Sequence, residues 1–258
     1  MRKLYSNILG EGNNHLTILH GFLGMSDNWK SLGNVFSKLG FKVHLIDQRN
    51  HGRSFWNKDF SYEILAEDLL FYMNQEKITK SIIIGHSMGG KTAMKFCSRY
   101  PERISKLIIV DISPKKYNSS HDKILQGLTL LNFKIIKTRK DADLHLSNYI
   151  LESEIRQFLL KNLYWIAPGK LALRLNISIL KNSSQIISKE VIIKNIFNKP
   201  VLFLKGQNSD YISNNEPKLL EKYFSNFQIK IIKNSGHWLH AENPVDFIKT
   251  VNNFLGSE

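Results

Sequence analysis

Residues 82–91 read Ile82-Ile83-Ile84-Gly85-His86-Ser87-Met88-Gly89-Gly90-Lys91, a short β-branched run that ends in a glycine-rich turn. Three consecutive isoleucines suit a strand buried on both faces. Lys91 to Arg99 then read as a helix, so the turn is G-x-S-x-G in a strand–turn–helix setting. A serine on so tight a bend needs a strained backbone with no bulky neighbours, which Gly85 and Gly89 allow. The helix starts beneath Ser87, and its unpaired N–H groups face any negative charge developing there. Ser87 is the candidate nucleophile.

Outward from this turn the same alternation repeats. Leu16–Leu19, Val43–Ile46, Leu107–Val110, Val201–Leu204 and Ile229–Ile232 read as further strands. Helical patterns over 28–39, 62–74, 216–224 and 244–255 lie between them. This predicts an α/β fold with a mostly parallel central sheet flanked by helices. A short strand in residues 3–9 is weakly signalled. From Ser113 to Asn195 the alternation stops, and apolar residues such as Ile124, Leu128, Ile155 and Leu159 recur at helical spacing. The expected organisation is a core over 1–113, a helical cap over 114–195, and the rest of the core over 196–258.

The composition narrows the function. In 258 residues the chain carries 36 Lys and Arg against 22 Asp and Glu, a net charge of +14. Only 8 of the basic residues are arginine, and the lysines are scattered. A nucleic-acid footprint would be clustered and arginine-rich, so no nucleic-acid partner is expected. Attraction of small anionic substrates is a milder use of the same field. No apolar run approaches a membrane span, and the N-terminus lacks a secretory pattern, so the expectation is a cytoplasmic protein. A single cysteine, Cys97, excludes an intramolecular disulfide and a cysteine-based zinc site. Oligomeric state carries no signal here.

A serine hydroxyl needs a base. Among nine histidines, His237 follows the last strand and precedes the last helix, on the same rim as Ser87. His20 is expected to shape the turn before Phe22, His51 to be structural or substrate-facing, and His86 to pack beside the serine. His15, His44, His121, His145 and His240 fit solvated or core roles. The acid is open between two residues. Asp111 ends the strand before the insertion, and Asp210 follows the later turn Gly206-Gln207-Asn208-Ser209. Backbone N–H groups of Phe22 and Met88 would bind an oxyanion, and Leu23, Trp238 and Phe158 are candidate substrate contacts. Tyr164 and Trp165 are weaker ones. No metal or organic cofactor is required.

Taken in order, Leu19-His20-Gly21-Phe22-Leu23-Gly24, Asp47-Gln48-Arg49-Asn50-His51-Gly52-Arg53-Ser54, Gly85 to Lys91, Val110 to Pro114, Gln157 to Lys161 and Gly236-His237-Trp238 resemble the α/β-hydrolase superfamily, and within it the YbfF-type esterases. The resemblance spans nearly the whole chain. It implies the α/β-hydrolase fold, an eight-strand sheet shortened here at its N-terminus, and a helical cap after the sixth strand. It also points to Asp111 as the acid, because serine stands where most of the superfamily has its aspartate. The implied activity is hydrolysis of carboxylic esters, with acyl-CoA thioesters as a related class. Dehalogenases and epoxide hydrolases are disfavoured, since they place an aspartate where Ser87 stands. Pimeloyl methyl ester esterases, carbon–carbon bond hydrolases, menaquinone-pathway lyases and a non-catalytic binding protein of the same fold remain as alternatives.

Overall fold

The computed structural model describes residues 2–118, 121–213 and 215–256. Its first part runs β1 (Ser6–Leu9), β2 (Asn14–Leu19), α1 (Lys30–Lys38), β3 (Phe41–Ile46), α2 (Tyr62–Gln75), β4 (Ser81–His86), α3 (Met88–Arg99) and β5 (Ile104–Val110). An insertion follows, with α4 (Asp122–Thr129), α5 (Arg139–Ser147), α6 (Ser153–Leu160), β6 (Leu163–Ala167), β7 (Lys170–Leu173), α7 (Ile177–Asn182) and α8 (Ser184–Ser188). The chain then returns as β8 (Val201–Gly206), α9 (Glu216–Leu220), β9 (Phe227–Ile232), α10 (Leu239–Glu242) and α11 (Pro244–Gly256).

Seven strands form one sheet in the order β1-β3-β2-β4-β5-β8-β9, parallel throughout except for β1, which runs against β3. The described residues thus give seven strands where the family pattern has eight. The insertion therefore follows the fifth sheet strand counted here, the sixth of that pattern. Side chains of β5 and β8 alternate between two cores. Leu107, Ile109, Val201 and Phe203 join the α2, α3 and cap side, while Ile108, Val110, Leu202 and Leu204 join the α1 and α11 side. Each such buried side chain contributes about 1.5–3 kcal/mol, which is why Leu107–Val110 and Val201–Leu204 are apolar at every position. Helix α2 starts where the Ser61 hydroxyl accepts the Ile64 N–H at 3.2 Å, and it buries Leu65, Leu69, Tyr72 and Met73 at helical spacing.

The insertion is not purely helical. β6 and β7 form an antiparallel hairpin turning at Pro168-Gly169, with Gly169 at φ +72°. The sequence hid it because these strands pair only with each other, and Trp165 and Ile166 stay exposed. The hairpin's buried positions are few, Leu171 and Leu173 on β7. At its base the two limbs of the insertion are tied together, the Val191 N–H donating to the Pro114 carbonyl at 2.7 Å. No helix among the described residues is long and apolar enough to cross a membrane.

Candidate active site

Ser87 sits between β4 and α3 with φ 51° and ψ −116°, a strained conformation outside the regions a side chain normally adopts. A Cβ on Gly89 would lie 2.3 Å from the Leu19 carbonyl oxygen and 2.6 Å from that of His20. Only glycine lets the first turn of α3 approach the end of β2 so closely. That approach brings the 20–24 loop beside the serine; a Cβ built on Gly21 would be 3.3 Å from the Ser87 Cβ.

Two buried histidines brace this loop. Nε2 of His20 accepts the Gln48 N–H at 3.0 Å, and Nε2 of His51 accepts the Leu23 N–H at 3.2 Å. Their Nδ1 protons go to the carbonyls of Gly21 and Arg49, a tautomer assignment that follows from these partners. Leu23 itself is held at φ 60°. His51 is thus structural, and His20 shapes the Phe22 turn as expected.

His237 reaches the site from the loop after β9. Its Nδ1–H donates to Asp111 Oδ2 at 2.8 Å, and Asp111 is fully buried at the end of β5 with φ 49°. The same carboxylate accepts the Gly206 N–H at 3.0 Å and the Ser209 hydroxyl. Asp210 is exposed. The Gly206 turn therefore supplies a hydroxyl that fastens the carboxylate arriving from the neighbouring strand. Tyr211 stacks on the His237 ring at 3.9 Å with planes 16° apart, and His86 Nε2–H donates to the His237 carbonyl at 2.9 Å. Burial holds His86 well below the usual imidazole range, so it is a neutral donor.

Ser87 and His237 line one cavity of about 190 Å³. Phe22, Leu23, Phe158 and Trp238 line it too, together with Ile124, Ile155, Leu159, His121 and Tyr211. Met88 instead lines a smaller adjoining cavity of about 20 Å³, which shares Ser87, His121 and Tyr211 with the first. Tyr164 and Trp165 line neither cavity, since their hairpin lies elsewhere in the insertion. His121, expected to be solvated or in the core, is the clearest miss. It precedes α4 with its ring 5.0 Å from Phe22, and burial lowers its pKa to about 4. Nothing in its sequence neighbourhood marks it. Ser209 did leave a signal, as the serine standing in the acid's place; Tyr211 left none.

The buried histidines make the fold acid-sensitive. Burial lowers the pKa of His20 to about 4, and those of His51 and His240 to about 3. Below about 6.5 the unfolded chain takes up protons that these rings refuse, so stability is lost as pH falls from there towards 4. The loss is about 1.4 kcal/mol per pH unit per ring. Three rings at pH 5 cost about 6 kcal/mol, comparable to a whole domain's stability. Calorimetry from pH 7.5 to 4.5 is expected to show a steeply falling Tm, and a flat Tm would contradict the buried neutral rings.

The family model for the alpha/beta hydrolase fold matches residues 14–133. The sn-1-specific diacylglycerol lipase ABHD11 of Mus musculus is 34% identical, over 93% of this chain and 80% of that protein. The esterase YbfF of Escherichia coli is 30% identical, over 94% of this chain and 93% of its own length. Among solved structures, a marine microorganism esterase superposes with a TM-score of 0.94 at 39% identity, covering 98% of this chain and 99% of that one. With the sheet order, the strained serine and this full-length likeness in hand, the chain belongs to the α/β-hydrolase superfamily, among its YbfF-type esterases.

Proposed function

We propose that the protein hydrolyses carboxylic esters through Ser87, His237 and Asp111 by way of an acyl-enzyme. The observation that carries this reading is the His237 ring, held at 2.8 Å by a fully buried carboxylate, on the wall of the cavity that Ser87 also lines. His237 Nε2 takes the Ser87 proton as Oγ attacks the carbonyl carbon. Asp111 keeps the proton on Nδ1 and stabilises the imidazolium. The tetrahedral oxyanion lies between the N–H groups of Met88 and Phe22, each worth about 3 kcal/mol of barrier. The C–O bond to the alcohol then breaks, His237 returns its proton to the leaving oxygen, and a water activated by the same ring releases the acid. Thioesters follow the same steps with a thiol as leaving group. The diacylglycerol lipase among the relatives makes acylglycerols a further ester class to assay.

The cavity of about 190 Å³ lies below the roughly 300–1,000 Å³ of pockets that bury drug-sized ligands, which suits a short acyl chain. Phe158 closes it against Trp238, with ring centroids 5.8 Å apart. The test is a series of p-nitrophenyl esters from acetyl to dodecanoyl, with a fluorophosphonate probe as reporter of the serine. Turnover is expected to favour short chains, with labelling confined to Ser87. In Phe158→Ala the kcat/KM ratio of decanoyl to butyryl ester is expected to rise roughly tenfold, since truncating a core aromatic vacates space worth a few kcal/mol of contacts. An unchanged profile would remove Phe158 from the end of the pocket. A folded protein that neither turns over esters nor reacts with the probe would sink the hydrolytic reading.

A further inference from the structure

Lys91 closes the Gly85–Lys91 block and takes no part in the proposed reaction. It lies a single helical turn beyond Ser87, its N–H donating to the Ser87 carbonyl at 3.0 Å, and it is almost fully buried. Among the described residues no carboxylate comes within ion-pair distance of its ammonium. A buried charge without a counter-ion is costly to keep and calls for a purpose. Its donors go to the insertion instead, to the carbonyl of Ser188 at 3.4 Å and to that of Lys189. The ammonium also sits 4.8 Å from the centre of the Tyr117 ring. The same stretch is held twice more, the Tyr62 hydroxyl donating to the Ile187 carbonyl and the Tyr117 N–H to the Ser188 carbonyl, both at 2.8 Å. Lys91, Tyr62, Tyr117, Ile187 and Ser188 are at the same time walls of the small cavity beside Ser87 and Met88.

We propose that Lys91 is a positioning residue: its ammonium latches the end of α8 onto the nucleophile's helix and so keeps the smaller lobe of the site closed to bulky alcohol groups. This deepens the hydrolytic reading and rests on it for the substrate part alone. Charge-assisted bonds to the two carbonyls are about twice as strong as neutral ones, so the latch is tightest when the amine is protonated. Burial brings the Lys91 pKa down to about 7, opposed by the exposed Glu190 carboxylate that follows α8. The other titratable groups facing it are Tyr62 from α2, Tyr117 and His121 from the limb after β5, and Tyr211 after β8. Burial raises both Tyr62 and Tyr117 and lowers His121, so these three stay neutral near pH 7.

Two readouts test the latch, one of them independent of turnover. In Lys91→Met, amide protons of Tyr117 and Val191 are expected to lose protection roughly tenfold, the worth of one charge-assisted hydrogen bond, while sheet amides keep theirs. The kcat/KM ratio of benzyl to methyl butyrate is expected to rise by a similar factor. Tyr62→Phe, which cuts the neighbouring strap but keeps the ring that lies 5.9 Å from the Lys91 ammonium, is expected to move both readouts in the same direction. In wild type both are expected to drift the same way between pH 6 and 8.5, after correction for intrinsic exchange, and to stay flat in Lys91→Met. Unchanged protection and ratio in both variants overturn the latch, and so does a uniform loss of protection that includes the sheet. Absence of wild-type hydrolysis would instead strike the proposed reaction, because protection is read without substrate.

Discussion

Ser87→Ala is expected to reduce kcat for p-nitrophenyl butyrate by about 10⁶-fold, the loss measured when a serine hydrolase gives up its nucleophile. The size follows from the reaction route. Without Oγ no acyl-enzyme forms, and His237 could only activate water for direct attack at an uncatalysed geometry. The N–H groups of Met88 and Phe22, the proposed oxyanion donors, would survive, leaving a residual 10³–10⁴-fold advantage over water. Folding should not suffer, because the elbow's shape is set by its glycines and by β4 and α3, not by the hydroxyl. The comparison therefore needs matched circular dichroism spectra and a pre-steady-state burst, present in wild type and absent in the variant. Turnover within tenfold of wild type would mean that the chemistry resides elsewhere.

Asp111→Asn is the second large effect, with kcat expected to fall about 10⁴-fold. The amide would direct its NH₂ or its oxygen at Nδ1 with no charge behind it, which favours the wrong tautomer and leaves the imidazolium unsupported. Asp210→Asn, on an exposed residue, is expected to change kcat by less than about threefold, within the usual range for a surface substitution. Ser209→Ala should fall between them. It leaves the carboxylate in reach of Gly206 and His237 but removes the hydroxyl that pins Oδ2, a loss of about 1.5–3 kcal/mol of hydrogen bonding to a charged group. The three variants, assayed side by side on one ester, rank the acids directly. A collapse in Asp210→Asn with Asp111→Asn spared would reverse the assignment.

Much of this arrangement was legible from residue order alone, for physical reasons. Strands such as Leu107–Val110 are buried on two faces, so their apolarity is continuous and easy to recognise. The serine turn announces itself because a strained φ and a close backbone approach at Gly89 leave few residue choices. His237 could be singled out by its place between β9 and the closing helices. What escaped was set by tertiary contact. His121 enters the cavity only because the insertion folds back over Phe22, and Tyr211 earns its place by stacking on a ring 26 residues downstream. The β6–β7 hairpin buries only Leu171 and Leu173 and leaves Trp165 and Ile166 exposed, too short a pattern to mark two strands. The sequence left Asp111 and Asp210 as candidate acids, and the resemblance favoured Asp111; the fold adds that the Asp111 carboxylate lies 2.8 Å from the His237 Nδ1 while Asp210 is exposed.

The bond between Pro114 and Val191 cinches the insertion into a neck. Ser87 and Asp111, the proposed nucleophile and acid, both precede that neck at the ends of adjacent strands, and His237, the proposed base, follows it. A foreign lid spliced between those two residues would leave Ser87, Asp111 and His237 on the core, provided its ends meet at the same separation and it replaces the ties from Asn162 to the Leu23 carbonyl, from Tyr117 to the Tyr211 carbonyl and from Lys91 to the end of α8. Substrate range then becomes a transplantable module, and chimeras grafted at the neck could exchange selectivity without rebuilding the chemistry.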